Sequence, residues 1–467
     1  MFKKAWKGIV CIAVPIAIIM SPTPNGLTNE AWKLFAIYVG SILGLMLRPV
    51  PEPIVLLTAV SISGLLLNNM KLVMSGYANS VTWLVFAAFS VGTAFVETGL
   101  GKRIAYILIG KAGQTSLRLG YVEALTDLIL SPATPSILAR TGGIVYPIFR
   151  SIAVTLGSEP GATSRRIGAY LSLTLYQISL TTGYMFMTAL SVNMLMTSFA
   201  SKITKVQIDW FTWFKAAVVP SMIMLLIIPW VVYKLYPPEI TKIDNKPLAA
   251  KGLAELGPMS RREKILGSLF ILAIIGWATG TITHIDATAV AMCFLSASLL
   301  TGVISWESIL QSKGAWTIFI WYGGIVGLAD ELAKAKFFDW VAKLLSNNVD
   351  FVGYDPIVIL GGVILVSILI RYLFASVAGF VTTMMPVMFT VGIVAQVPLV
   401  PLVLLSCFSA AYGGLVTHYG GGVGPVLFAP GYVDQVTWWK IGAVIVAISY
   451  VVHMGIGLPY WKLIGLW

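Results

Sequence analysis

Roughly ten windows, each of about 20 mostly apolar residues, recur along this chain. That recurrence excludes an ordinary water-soluble fold. Of the 467 residues, 58% are hydrophobic and 11% charged, whereas a soluble domain is about 25% charged. Backbone in a bilayer core finds no water to bond, so each window is expected to be a helix. The chain is expected to be an all-α polytopic membrane protein with about 11 transmembrane segments.

Two of the apolar regions are broken in an unusual way. Asp127–Pro147 reads DLILSPATPSILARTGGIVYP and Arg371–Pro386 reads RYLFASVAGFVTTMMP. Prolines, small hydroxyl residues, arginine and glycine pairs at membrane depth are tolerated only where protein buries them or they line a watery cavity. Matched broken segments in two halves point to a transporter's binding site. They are read as re-entrant hairpins over 118–150 and 355–391. Each is followed by a run too long for one straight crossing, 167–199 and 398–428. The first run is expected to break at Thr181-Thr182-Gly183; the second centres on AAYGGLVTHYGGGVGP.

The layout also repeats. WLVFAAFSVGTAFVETGLGKRI from Trp83 parallels WTIFIWYGGIVGLADELAKAKF from Trp316. Residues 1–236 and 265–467 are therefore read as two repeats, joined by a cytoplasmic linker over 237–264. An odd number of crossings in each would make them an inverted repeat with the site near the midplane.

The net charge of +12 fits either a nucleic-acid surface or basic cytoplasmic loops. The Lys and Arg residues collect between apolar windows, which favours the loops and no nucleic acid. Cys11, Cys293 and Cys407 lie in apolar runs without ligand spacing. Residues 1–24 resemble a signal peptide but lack a small-x-small cleavage site, so a retained first segment with a cytoplasmic N-terminus is expected, in a bacterial inner membrane. There is no G-x-x-x-x-G-K-[ST] loop, HExxH set or GxSxG elbow, and no enzyme and no cofactor is expected.

The candidate site follows from helix ends. A helix N-terminus offers unpaired N–H groups and partial positive charge, both suited to a carboxylate. Ser136, Thr141, Thr182, Thr188, Ser376 and Thr417 can add hydroxyls, while Gly142, Gly143, Gly183, Gly413, Gly414 and Gly420–Gly422 allow close backbone approach. Arg140 can fork onto a substrate carboxylate, pair with Asp127 or snorkel to the interface; Arg371 and His418 are further candidates.

SPATPSILARTGGIVYPI, MFMTALSVN, YLFASVAGFVTTMMP and THYGGGVGPVLFAPGYV resemble the divalent anion/sodium symporter family. Within it they are nearest to bacterial citrate/succinate and tartrate/succinate antiporters and plastid oxoglutarate/malate translocators. The resemblance implies a homodimer whose scaffold domain holds a moving transport domain in an elevator mechanism. It implies a substrate held by tips Ser136-Ile137-Leu138 and Ser376-Val377-Ala378, with Gly183, Asn193, His418 and Tyr419 from the broken helices. The family's tips read Ser-Asn-Thr or close to it; here the amide and second hydroxyl are gone, and Ser191-Val192-Asn193 replaces an Ala-Pro-Asn-like stretch. Those losses put sodium coupling in question; any sodium would sit near Ser136 and Gly183 or near Ser376 and Gly414. The implied activity is exchange or cation symport of a succinate-, malate-, citrate-, tartrate- or oxoglutarate-type anion. The apolar tips keep open a divergent carrier of a less charged solute, and a non-transporting membrane receptor is a further alternative.

Overall fold

The computed structural model describes residues 2–68, 70–348 and 353–467. Its first half contains α1 (Phe2–Met20), α2 (Asn29–Leu47), α3 (Glu52–Leu67), α4 (Ser80–Thr98), α5 (Leu100–Ala112), α6 (Ser116–Leu130), α7 (Tyr146–Thr155), α8 (Gly168–Met185), α9 (Ser191–Ile203) and α10 (Trp210–Leu235). After α11 (Asn245–Leu256) come α12 (Arg261–Ala278), α13 (Ala287–Leu300), α14 (Lys313–Lys334) and α15 (Phe337–Asn348). The chain closes with α16 (Pro356–Arg371), α17 (Val377–Val394), α18 (Leu399–Tyr412) and α19 (Gln435–Val452), beyond which short helical turns continue.

Local chemistry sets where these helices start. Thr28, Asn79, Thr115, Asp209, Asp286, Asp355 and Asp434 each accept a backbone N–H of the first turn, a cap worth about 1 kcal/mol. Among the described residues, six helices are long and apolar enough to cross a bilayer, and four shorter apolar helices accompany them. α8 differs from all of these. Every one of its 18 residues is buried, so it sits at the centre with no face for lipid or water.

The two Trp-x-x-Phe motifs meet. Trp83 packs on Phe319 at 5.1 Å, and Phe86 packs on Trp316 at 5.0 Å. Farther along α4, Phe89 lies 3.6 Å from a Cβ built at Gly314. Rising residue numbers on α4 thus match falling ones on α14, and the two helices run antiparallel. Just before α4, Gly76 lies so close to α14 that a Cβ there would stand 2.0 Å from the Gly323 carbonyl; only glycine fits such a crossing.

The hydrophilic segment between the halves is fastened in place. Ser116 N donates to Thr241 O at 3.2 Å, and Ile243 N to Gln114 O at 2.9 Å. Asn245 Nδ2 reaches Ile109 O at 2.7 Å and Gly110 O at 2.8 Å, closing the C-terminal end of α5. The Arg103 guanidinium grips the Glu263 carboxylate, Nε–Oε1 2.6 Å and Nη2–Oε2 3.3 Å, and donates to Gly257 O at 3.0 Å. Burial alone would raise the Glu263 carboxyl, but Arg103 and the Ser260 amide and hydroxyl outweigh it and hold the group below its ordinary 4.5.

The first long run departs from the sequence expectation. The helix continues through Thr181–Gly183 to Met185, and the chain turns extended at Phe186 (φ −116°, ψ 139°) and Leu190 (φ −144°, ψ 124°). The hydroxyls there do not interrupt the helix: Thr181 Oγ1 bonds back to Gln177 O at 3.1 Å, and Thr182 Oγ1 donates to Asp127. The carbonyls freed at the true end find side chains instead. Trp213 Nε1 donates to Tyr184 O at 2.8 Å, and Asn193 Nδ2 lies 2.8 Å from Gly183 O and 3.1 Å from Phe186 O.

Candidate functional site

The two tips share one geometry. α6 ends at Leu130, and Pro132 and Pro135 prevent its continuation. Ser136 Oγ then accepts the Ala139 N–H at 3.2 Å, and Ser136 O accepts Arg140 N at 2.9 Å. In the second half α16 ends at Arg371; Ser376 Oγ accepts the Gly379 N–H at 3.3 Å, and Ser376 O accepts Phe380 N at 3.1 Å. Each serine is half-buried and opens the helix that follows it. At the first tip Ile137 is buried and Leu138 exposed; at the second, Val377 is buried and Ala378 half-buried. The first hairpin carries a π-helical stretch, Leu138–Val145, before Pro147, the irregularity that a ring without an N–H favours.

Tip and break are joined within the first half. Thr188 Oγ1 donates to Pro132 O at 2.6 Å and accepts from Trp210 Nε1 at 3.1 Å, while Ser191 N donates to Pro135 O at 3.1 Å. Arg140 is the main clamp. Fully buried, it places Nε 3.1 Å from Asp127 Oδ1 and Nη1 2.8 Å from Thr134 O and 3.2 Å from Ala189 O. Its Nη2 lies 3.1 Å from Thr182 Oγ1 and 3.4 Å from Ser179 O. Five contacts occupy the five donors of a guanidinium. Asp127 is buried too and also accepts from Thr141 Oγ1 at 2.7 Å and from Thr182 Oγ1. In this conformation Arg140, Thr141 and Thr182 are bonded to protein groups around Asp127.

The second half solves the same problem with another residue. Arg371, 1% exposed, donates from Nε to Ala410 O at 3.3 Å, from Nη1 to Phe374 O at 2.5 Å and from Nη2 to Gly420 O. All three partners are carbonyls. Among the described residues no carboxylate forms an ion pair with Arg371, whereas Asp127 pairs with Arg140. Arg371 ties the second tip to the second break, where Gly413–Val416 form a 3₁₀ turn and Thr417 is extended (φ −108°, ψ 148°).

The halves interlock. Tyr176 of α8 places its hydroxyl 2.9 Å from Gly414 O and 2.8 Å from Thr417 O. Across the halves, a Cβ at Gly142 would meet Val423 and Val426 at 3.4 and 3.8 Å; within the first half, one at Gly183 would meet Ile137 Cδ1 at 2.9 Å. His418 lies beside the site in an aromatic cluster, its Nδ1 accepting from Trp439 Nε1 at 3.2 Å and its ring 4.3 Å from that of Phe428. Tyr419 donates to Tyr372 O at 3.3 Å. Among the described residues no hydrogen bond links Ser136 to Ser376. Sequence reasoning missed Tyr176 and Trp210, because polar tips inside apolar runs look like packing residues until their distant partners are known.

A family model described as the sodium:sulfate symporter transmembrane region matches residues 2–467. The chain belongs to that family of membrane transporters. It is 46% identical over 472 residues to the inner membrane protein YbhI of Escherichia coli (strain K12), covering 100% of this chain and 99% of that one. It is 33% identical over 475 residues to the L-tartrate/succinate antiporter of the same strain, covering 97% of each. Its fold resembles the crystal structure of the Alcanivorax borkumensis YdaH transporter at a TM-score of 0.55 and 10% identity, over 99% of this chain and 98% of that one. The divalent anion/sodium symporter resemblance read from the hairpin motifs therefore holds, and the protein is an all-helical multi-pass membrane transporter.

Proposed function

We propose that this transporter carries an organic di- or tricarboxylate of the succinate, malate, tartrate, citrate or oxoglutarate type. It binds the anion between the two broken hairpins and moves it by displacing those hairpins, with α8 and the two breaks, against the remaining helices. The observation that carries the reading is Arg371: a buried guanidinium beside the second tip whose hydrogen bonds reach only carbonyls. A charge in that setting is costly without a counterion, and a substrate carboxylate supplies one. The antiparallel contact of α4 with α14 supports an inverted repeat, and the relative named an L-tartrate/succinate antiporter supports the substrate class. The homodimer implied by the resemblance belongs to the same reading.

Sodium fits this reading poorly. The carbonyls of Gly183 and Gly414, at the two positions where it would be held, already accept from Asn193 Nδ2 and Tyr176 Oη at 2.8 and 2.9 Å. The tip side chains that would complete a cation shell are Ile137, Leu138, Val377 and Ala378. Uptake of labelled succinate, malate, L-tartrate and citrate into proteoliposomes, with and without sodium, tests the proposal. Sodium-independent exchange of at least one is expected. Failure with every carboxylate, while a neutral solute is carried, would replace it with the divergent-carrier reading.

A further inference from the structure

A second acid lies one turn before Asp127 on the same helix. Glu123 is fully buried, and among the described residues neither carboxyl oxygen has a hydrogen-bond partner. Ionised, such a group is far costlier than a hydrogen-bonded one, whereas a protonated carboxyl tolerates the setting. We propose that Glu123 is the binding site for a coupling proton, taken up and released with each carboxylate carried. This rests on the carboxylate-transport reading and supplies it with a coupling ion.

Three placements support it. The first is the link to the site. α6 and α8 run side by side in the same direction: Tyr170 meets Gly120 and Thr182 meets Asp127, and just beyond both helices Thr188 meets Pro132. Asp127 is therefore shared between Glu123, four residues before it, and the Arg140 clamp that holds tip to break. Ionising Glu123 places two negative charges on one helix face, an i,i+4 like-charge pair. It shifts Arg140 toward a doubled negative charge and so biases the clamp.

The second placement is the route. Glu123 lies seven residues into α6, about 10 Å from the helix start that is bonded to the linker. Glu123, Tyr146, Ser172, Arg150 and Tyr432 line one tight cleft with no room for a water molecule, and the Arg150 side chain is exposed. A proton from water on the linker face would pass directly between these side chains. The remaining facing groups do not neutralise Glu123: Tyr121 donates to Leu226 O, Tyr170 to Pro229 O, and Tyr233 stacks on Tyr170. From α5, Arg103 is committed to Glu263, and Tyr106 lies against Gly252.

The third is the asymmetry. Counted from the tip serines, Glu123 and Asp127 correspond to Val363 and Ser367. Only the first hairpin has an acid pair in the sequence. One proton entering with one dianion leaves a net transfer of one negative charge, and the proton returns to bulk water on the other face.

The test uses the full-length protein and Glu123→Gln, which keeps the shape of the protonated acid, in sodium-free vesicles holding a pH-sensitive dye. Wild type is expected to acidify the lumen by one proton per labelled succinate entering empty vesicles. Glu123→Gln, fixed in the shape of the protonated acid, should still exchange external for internal succinate while moving no protons. Wild-type entry without protons, no entry while exchange runs, or equal acidification by the variant would each overturn the proposal. If neither protein moves any carboxylate, the transport reading itself fails. Difference infrared spectra of the purified proteins then decide on Glu123: a protonated-carboxyl band that fades as pH rises and is missing from Glu123→Gln supports it, and a band common to both overturns it.

Discussion

Arg371 lies over the ring of Phe380 at 5.3 Å, and Phe380 stands four residues after Ser376 as Arg140 stands four after Ser136. The guanidinium at the second tip thus comes from the helix before the serine, and an aromatic face takes the place held by Arg140 in the first half. The tips are alike in backbone and unlike in charge. Arg140 is balanced by Asp127; among the described residues no carboxylate balances Arg371.

That inequality predicts different losses at the two arginines. Arg371→Gln removes charge-assisted bonds worth about 1.5–3 kcal/mol, so carboxylate affinity should fall roughly 10- to 100-fold. Arg371→Lys should keep part of it. Concentration-dependent exchange in proteoliposomes gives the KM values; equal KM in all three proteins would contradict the assignment.

Asp127→Asn should act on stability first. It strands a buried guanidinium, a loss of about 3–5 kcal/mol for a broken buried pair. Thermal unfolding in detergent should show a clear drop, larger than that of Thr141→Val, which removes one hydroxyl bond to the same carboxylate. Similar midpoints for the two variants would mean that Arg140 finds another partner.

An ion pair joins the broken helix to its surroundings. Lys202 at the end of α9 meets Asp330 on α14. If α9 travels with the tips, a Lys202→Cys/Asp330→Cys disulfide, formed in a background lacking Cys11, Cys293 and Cys407, should stop transport, and reduction should restore it. Undiminished exchange in the cross-linked protein would place α9 in the static part.

Glu263 gives a pH dependence with a definite sign. Its folded carboxyl titrates below the ordinary 4.5, so its contribution is complete above that pH and is lost as pH falls through the depressed value. Wild-type stability should therefore decline on acidification below about 4.5, and Glu263→Gln should be less stable at neutral pH with a flatter acid limb. Parallel melting curves across that range would refute the link.

The sequence made the two broken segments legible because proline beside serine is rare at membrane depth and recurs in both halves. The Asp127–Arg140 pairing was one of the open alternatives, since both residues lie on the same broken segment. The position of the first break was misjudged at Thr181–Gly183. A small residue and two hydroxyls look like a helix stop, but the decisive groups were Asn193 and Trp213, whose capping of the freed carbonyls no local pattern announces. Tyr176 was missed for a related reason: its partners lie 238 and 241 residues away. Glu123 sits in LGYVEAL, where a single acid reads as the wet end of a helix until its burial is known.

The confinement of α8 limits how such a molecule can work. A rod gripped on all sides cannot spin about its own axis without unseating Tyr176, Thr182 and Tyr184 together. It can still slide, provided its neighbours slide with it. A shared translation of α8 with the block packed around it keeps those contacts, whereas rotation of α8 alone breaks them.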